Sequence, residues 1–349
     1  MKFFSKHGGA LAAASVVAAL ALTACGNATT NATTNASSSS SGAAKAPLTI
    51  TFIPKNLGNP YFDTSDAGGK KAIGEFSGTY SEVGPQTASP DGQVQYINTA
   101  AQQKTSALVV SANDPKAICD ALTQARAAGT KVVTFDSDTE TQCRDVFINQ
   151  ATADGIAKVE VDTITKEIGD SGEIAILSAS ANATNQNAWI DLMKKDLAAT
   201  HPNVKLVDVV YGNDDDQTSF DKTAALLQSH PNLKGIISPT TVGIAAAARY
   251  LSTSTMKGKV FLTGLGTPNQ MRQYVKDGTV QEFALWNPAD LGYLAAYAAK
   301  ALADGTITGK EGDKFTAGTL GAFTVGADGT VLLGDPFVFN AGNIDNFKF

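Results

Sequence analysis

Histidine is scarce in this sequence, three residues in 349, and the placement of those three excludes more than their number. His7 lies in the N-terminal apolar segment, and His201 and His230 each open a His-Pro step that closes a helical pattern. A Ser-His-Asp or Cys-His nucleophile site has no base to draw on, and a histidine-rich metal centre has no ligands. A basic surplus is also missing. Twenty-seven lysines and arginines against 33 acids give a net charge of −6, so the electrostatic footprint of a nucleic-acid binder is absent. The phosphate-binding signatures fail too: Gly264-Leu-Gly266 lacks the third glycine of a dinucleotide fingerprint, and Gly309-Lys310 runs into Glu311 where a P-loop needs Ser or Thr. No cofactor or metal is expected. What remains is a chain that is 43% hydrophobic and 17% charged, long enough for about two packed domains.

Lys2 and Lys6 precede an uncharged apolar stretch from Gly8 to Ala24, which is shorter than the ~20 residues a spanning helix needs and reads as a secretory signal, 1–24. The small residues before Cys25, Leu22-Thr-Ala24, resemble a bacterial lipobox, in which this cysteine is lipidated after cleavage; the alternative is a plain signal peptide with an incidental cysteine. Cleavage would take two lysines and no acid, leaving the remainder at −8. Residues 25–47 then form a lipidated cysteine and a tether of Asn, Ala, Thr, Ser and Gly that spans on the order of 25 Å as a coil. Outside the cytoplasm the remaining cysteines, Cys119 and Cys143, are free to form a disulfide, the alternative being two buried thiols.

From Leu48 onward, short β-branched runs alternate with longer helical patterns, the rhythm of βαβ units and parallel sheets. Leu48–Ile53, Ala107–Val110, Lys131–Phe135 and Val146–Ile148 form a first series; Glu173–Leu177, Lys205–Val210, Gly235–Ile237 and Val260–Thr263 form a second. Two series predict an α/β fold of two doubly wound parallel-sheet lobes. His201-Pro202 and His230-Pro231 repeat one helix-stopping device. Asn213-Asp-Asp-Asp216 lacks the glycine and distal glutamate of a calcium loop, and is expected to be a solvated turn capping the helix near Thr218.

Parallel α/β sheets bind ligands beyond the carboxyl ends of their strands. The polar and aromatic residues there are Lys55 and Asn56, Asn59 and Phe62, Asp136 and Asp138, Asn185 and Gln186, Pro239 and Thr241, Gly264, and Trp286 with Asn287. Carboxylates, amides and lysine suit vicinal hydroxyls, and rings suit the C–H faces of a sugar. One rival reading makes Asp136 and Asp138 the acid/base pair of a secreted sugar hydrolase or isomerase.

The blocks Phe52-Ile-Pro-Lys55, Gly58-Asn-Pro-Tyr-Phe62, Val110-Ser-Ala-Asn-Asp-Pro115, Thr134-Phe-Asp-Ser-Asp138, Phe147-Ile-Asn-Gln150, Asn182-Ala-Thr-Asn-Gln-Asn187, Gly235-Ile-Ile-Ser-Pro-Thr-Thr241, Thr263-Gly-Leu-Gly-Thr-Pro-Asn269 and Ala284-Leu-Trp-Asn-Pro288 run in one order. With them, residues 48–349 resemble the type I periplasmic sugar-binding proteins of ABC importers, and within these the rhamnose-binding subgroup. The neighbouring autoinducer-2 receptors use a lysine after the first strand, an aspartate after Trp or Phe, an Asp-Gln pair and a Pro-Asp-Ala segment. This chain matches at Lys55, Asp136, Gln186 and Pro239, and departs at Asn185 and at Thr240-Thr241. A deoxyhexose is therefore the expected ligand, with Phe62 and Trp286 as the apolar niche for its methyl group. The resemblance implies a non-enzymatic, monomeric lipoprotein on the outer face of the bacterial cytoplasmic membrane. It would close two lobes, 46–150 with 284–312 and 151–283 with 313–349, across three crossovers and deliver sugar to a permease driven by a separate ATPase. A repressor of the same lobe fold is disfavoured, because a lipobox stands where a helix-turn-helix would be.

Overall fold

The computed structural model describes residues 47–349. The signal segment, Cys25 and nearly all of the tether lie outside the described residues. The first series folds as β1 (Thr49–Ile53), α1 (Pro60–Glu75), β2 (Thr79–Glu82), α2 (Pro90–Gln102), β3 (Ala107–Val110), α3 (Cys119–Ala127), β4 (Lys131–Phe135) and β5 (Val146–Asn149). The second follows as α4 (Ala153–Ile168), β6 (Gly172–Ser178), α5 (Thr184–Thr200), β7 (Val204–Tyr211), α6 (Asp216–Ser229), β8 (Leu233–Ser238), α7 (Thr241–Thr253), β9 (Phe261–Gly264), α8 (Pro268–Lys276) and β10 (Glu282–Leu285). The chain ends in α9 (Pro288–Asp304), the β11 (Lys314–Thr316) and β12 (Ala322–Thr324) hairpin, β13 (Thr330–Leu332) and β14 (Phe337–Asn340).

The first sheet is parallel throughout, in the order β13-β5-β4-β3-β1-β2; the second is β7-β6-β8-β9, also parallel. Side chains alternate across the first sheet with the period of two that a strand imposes. Phe52, Val109, Val133 and Phe135 share one hydrophobic cluster with Ile73 of α1 and Leu294 of α9, whereas Ile53, Leu108, Val110 and Val132 join Ile97 and Leu122 of α2 and α3. Burial on both faces explains why these strands read as unbroken apolar runs. Each such side chain contributes roughly 1.5–3 kcal/mol through burial. Strand β2, Thr-Tyr-Ser-Glu at the sheet edge, buries neither face fully and carries no such signal.

Helix starts are built from short sequence devices. Asn59, Ser89 and Asn287 cap α1, α2 and α9 with their side chains, each followed by a proline whose fixed φ suits the first turn. The two His-Pro steps end α5 and α6 as expected from the sequence, with His201 and His230 as C-caps. Helices α1 and α9 cross with almost no separation: a Cβ on Gly68 would lie 1.9 Å from the Ala289 carbonyl oxygen, and one on Gly292 would lie 1.7 Å from that of Ser65. Cys119 and Cys143 form a disulfide with Cα atoms 5.3 Å apart, tying the start of α3 to the turn before β5.

The chain leaves the first sheet after β5 and returns to it with β13, while β10 and β14 pair in a two-stranded sheet of their own. Two expected boundaries are corrected. Strand β13 joins the first sheet beside β5, so 313–349 does not run wholly with the second series; β14 pairs with β10 instead. A three-residue strand with one buried side chain, Val331, is too short to declare its sheet in sequence. Ala284 and Leu285 belong to β10, which pairs with β14 and meets Leu265 through an isolated bridge, so the passage to the first sheet falls near Pro288 rather than 284.

Candidate ligand-binding site

Residues at and beyond strand ends of both sheets line one cavity. Nine expected residues line it: Lys55, Asn59 and Phe62 after β1, Asp136 after β4, Asn185 and Gln186 at the start of α5, Pro239 and Thr241 around the start of α7, and Trp286 after β10.

The Lys55 loop is held by a buried amide. Gln93 donates to the carbonyls of Pro54 (3.0 Å) and Ser111 (2.7 Å) and accepts from Asn113 N (2.9 Å); Asn113 in turn donates to the Lys55 carbonyl (2.8 Å). Lys55 Nζ is then placed 3.5 Å from Asp136 Oδ2 and 3.2 Å from Asn185 Oδ1. Asp136 sits at φ 60°, a left-handed backbone that an aspartate tolerates at some cost and that recurs where a site must aim a side chain. Ser111 Oγ donates to its Oδ2 at 2.7 Å. Gln186 uses its carbonyl oxygen on its own side of the cleft, accepting from Ser178 Oγ (3.0 Å) and Ala179 N (2.9 Å), which leaves its NH₂ as the free end.

Four aromatic side chains also line the cavity and pack on one another. Trp286 Nε1 donates to the Tyr61 hydroxyl at 2.9 Å, and the two rings meet edge to face at 6.1 Å. Trp189 packs on Trp286 at 6.3 Å, and Phe62 on Tyr61 at 5.1 Å. Burial, and then the charge of Asp136, push the Tyr61 hydroxyl far above its ordinary pKa, so it stays protonated.

Four expected residues lie elsewhere, each for a visible reason. Asp138 is engaged by Arg144 through Nε at 2.7 Å and Nη2 at 2.8 Å and accepts from Thr139 N at 2.9 Å, so it is a structural ion pair and lines an adjoining cavity. Asn287 is the N-cap of α9. Gly264 is a close-packing position, with φ 147° and a hypothetical Cβ 2.0 Å from the Ser238 carbonyl oxygen. Asn56 lines a neighbouring cleft.

Six lining residues were not selected from sequence: Tyr61, Trp189, Asp214, Thr240, Leu265 and Leu285. Trp189 follows Asn185 by four residues and so shares its helical face, a readable signal. Asp214 corrects the reading of Asn213–Asp216 as a wholly solvated turn. Asp215 does cap α6, accepting from Thr218 N at 2.7 Å, but Asn213 and Asp214 both adopt left-handed φ, and Asp214 turns inward to accept a hydrogen bond from Thr240 Oγ1. Burial raises the Asp214 carboxyl above its ordinary range, with the Thr240 hydrogen bond and Lys55 opposing the rise and Asp136 adding to it. The cavity therefore presents one lysine, two carboxyl groups, three amides, hydroxyls and four aromatic rings, without a nucleophile–base pair.

A family model described as a periplasmic binding protein domain matches residues 50–307. Among solved structures, the chain is 56% identical to a sugar ABC transporter protein from Actinomyces odontolyticus, covering 86% of this chain and 98% of that one with a TM-score of 0.71. It is 40% identical, with the same coverage and a TM-score of 0.84, to an ABC transporter solute binding protein from Clostridium phytofermentas with bound L-rhamnose. It is 29% identical to LsrB from Clostridium saccharobutylicum in complex with AI-2, covering 86% of this chain and all of that one, TM-score 0.82. These relatives are binding proteins rather than enzymes, which removes the hydrolase or isomerase reading together with the Asp136–Asp138 pair on which it stood. The chain belongs to the periplasmic binding protein family, as a type I, extracytoplasmic sugar-binding protein of the ABC-transporter class.

Proposed function

We propose that this protein captures L-rhamnose between its two lobes and presents it to a membrane permease, as a monomer anchored to the outer face of the cytoplasmic membrane through lipid on Cys25. The observation that carries the ligand choice is the composition of the cavity lining. Lys55, Asp136 and the Asn185 and Gln186 amides line it together with the rings of Tyr61, Phe62, Trp189 and Trp286. In this reading Asp136 and Asp214 accept from sugar hydroxyls, Lys55, Asn59 and Gln186 donate, and Phe62 with Trp286 receives the C6 methyl. Discrimination against a hexose bearing a hydroxymethyl follows, since an apolar niche leaves that hydroxyl unpaired. Closure would bring donors from both lobes onto one ligand, and the closed form is what the permease would read.

The second reading is an autoinducer-2 receptor, favoured by Lys55, Asp136, Gln186 and Pro239 and by the 29% identical relative. A thermal-shift panel of L-rhamnose, other deoxysugars, pentoses and autoinducer-2 separates the two, because whatever binds the folded state raises its melting temperature by mass action. The largest shift is expected with L-rhamnose; a shift with autoinducer-2 and none with any deoxysugar would replace the first reading by the second.

A further inference from the structure

The central cavity does not end at Trp189. A second cavity of about 170 Å³ adjoins it, and Asp136, Asn185 and Trp189 line both. Phe147 and Ala188 give it an apolar part, and two of its polar side-chain atoms have no hydrogen-bond partner. Gln150 is 1% exposed and its Oε1 has no hydrogen-bond partner; Thr184 Oγ1 is likewise buried and without one. A buried amide oxygen and hydroxyl left unmatched cost on the order of 1–3 kcal/mol each, which a ligand hydroxyl would recover. Both carboxylates of this cavity are already paired, Asp138 by the two-pronged contact with Arg144 and Asp136 by Lys55 and Ser111, so a neutral polyhydroxylic ligand suits the cavity better than an ion.

We propose that this cavity is a second glycosyl subsite, and that the protein takes rhamnose-containing disaccharides with one ring in each cavity. The inference rests on the rhamnose reading of the central cavity. The second ring would lie against Trp189 and Phe147, with its hydroxyls donating to Gln150 Oε1 and Thr184 Oγ1.

Calorimetric titration with L-rhamnose and with a panel of L-rhamnosyl-L-rhamnose disaccharides covering every linkage position tests this. At least one disaccharide is expected to bind about fivefold or more tighter than rhamnose. Gln150→Ala should weaken that disaccharide by about two- to tenfold and leave rhamnose unchanged. Ala188→Trp, which fills the second cavity from the first turns of α5, should remove the gain without affecting rhamnose. Rhamnose binding with every disaccharide weaker, or a disaccharide gain that survives Ala188→Trp, overturns the second subsite alone. Loss of both rhamnose and disaccharide binding in the unaltered protein overturns the rhamnose reading with it. Tight disaccharide binding without rhamnose binding would support the two-ring site and contradict a monosaccharide ligand.

Discussion

Asn185 Oδ1 accepts a hydrogen bond from Lys55 Nζ at 3.2 Å, joining the start of α5 in the second half of the fold to the end of β1 in the first. Asn185 Nδ2 completes the link by donating to the Asp136 carbonyl at 3.4 Å. An aspartate at this position could accept from Lys55 but could not donate to Asp136, and it would place a further negative charge beside that residue. Asn185→Asp should therefore reduce rhamnose affinity about tenfold, equivalent to about 1.4 kcal/mol, while leaving the fold intact. Calorimetry beside a melting curve checks this; equal or tighter binding would refute the role assigned to the amide.

Asp136 holds its carboxylate between Lys55 and Ser111. Asp136→Asn keeps the shape and removes the charge-assisted hydrogen bonds, each worth about 1.5–3 kcal/mol. The expected loss is about 10- to 100-fold in sugar affinity. Unaltered affinity in equilibrium dialysis would move the carboxylate out of the binding site.

Glu160 of α4 is 1% exposed, and neither of its carboxylate oxygens has a hydrogen-bond partner. Burial raises its pKa well above the ordinary value, so the folded protein holds a proton there that the unfolded chain releases above about pH 4.3. The stability associated with that proton is fully present below pH ~4.3 and is lost progressively as pH rises toward the folded-state pKa. Glu160→Gln removes the dependence. Its melting temperature should match the parent near pH 4 and exceed it increasingly toward pH 8, with a gain of about 1–3 kcal/mol at neutrality. Parallel melting curves across that range would show Glu160 to be hydrated or paired.

The crossing of α1 and α9 supports the aromatic wall, since Tyr61 begins one helix and Trp286 leads into the other. Gly292→Ala forces a methyl against the Ser65 carbonyl and should destabilise the fold by about 1–3 kcal/mol in urea titration. Rhamnose affinity should fall as well, because the Tyr61–Trp286 pair that lines the cavity is displaced. A neutral effect on both would mean that the helices separate at no cost.

Much of this architecture was legible because buried parallel strands have a strong signature. Ile50, Leu108, Val132 and Ile176 lie in runs that need both faces covered, and the rule that ligands sit beyond strand ends then located Lys55, Asp136 and Trp286. The edge strand β2 lacked that signature, and β13 was too short to show one. In the site, the losses came from residues with two plausible duties. Asp138 and Asn287 occupy strand-end positions yet are taken up by Arg144 and by the first turn of α9, choices that depend on partners distant in sequence or on local cap geometry. Asp214 went the other way, because one Asp-rich turn divides its labour: Asp215 caps the helix while its neighbour, through two left-handed residues, turns into the cavity.

The most direct measurement of the central claim is a calorimetric titration of the protein with L-rhamnose, run beside the same titration with autoinducer-2. Saturation by L-rhamnose at one site per chain, weaker heat with autoinducer-2 and unchanged sugar recovered afterward are the predicted results. Saturation by autoinducer-2, with no heat from L-rhamnose or any other deoxyhexose, would contradict the account.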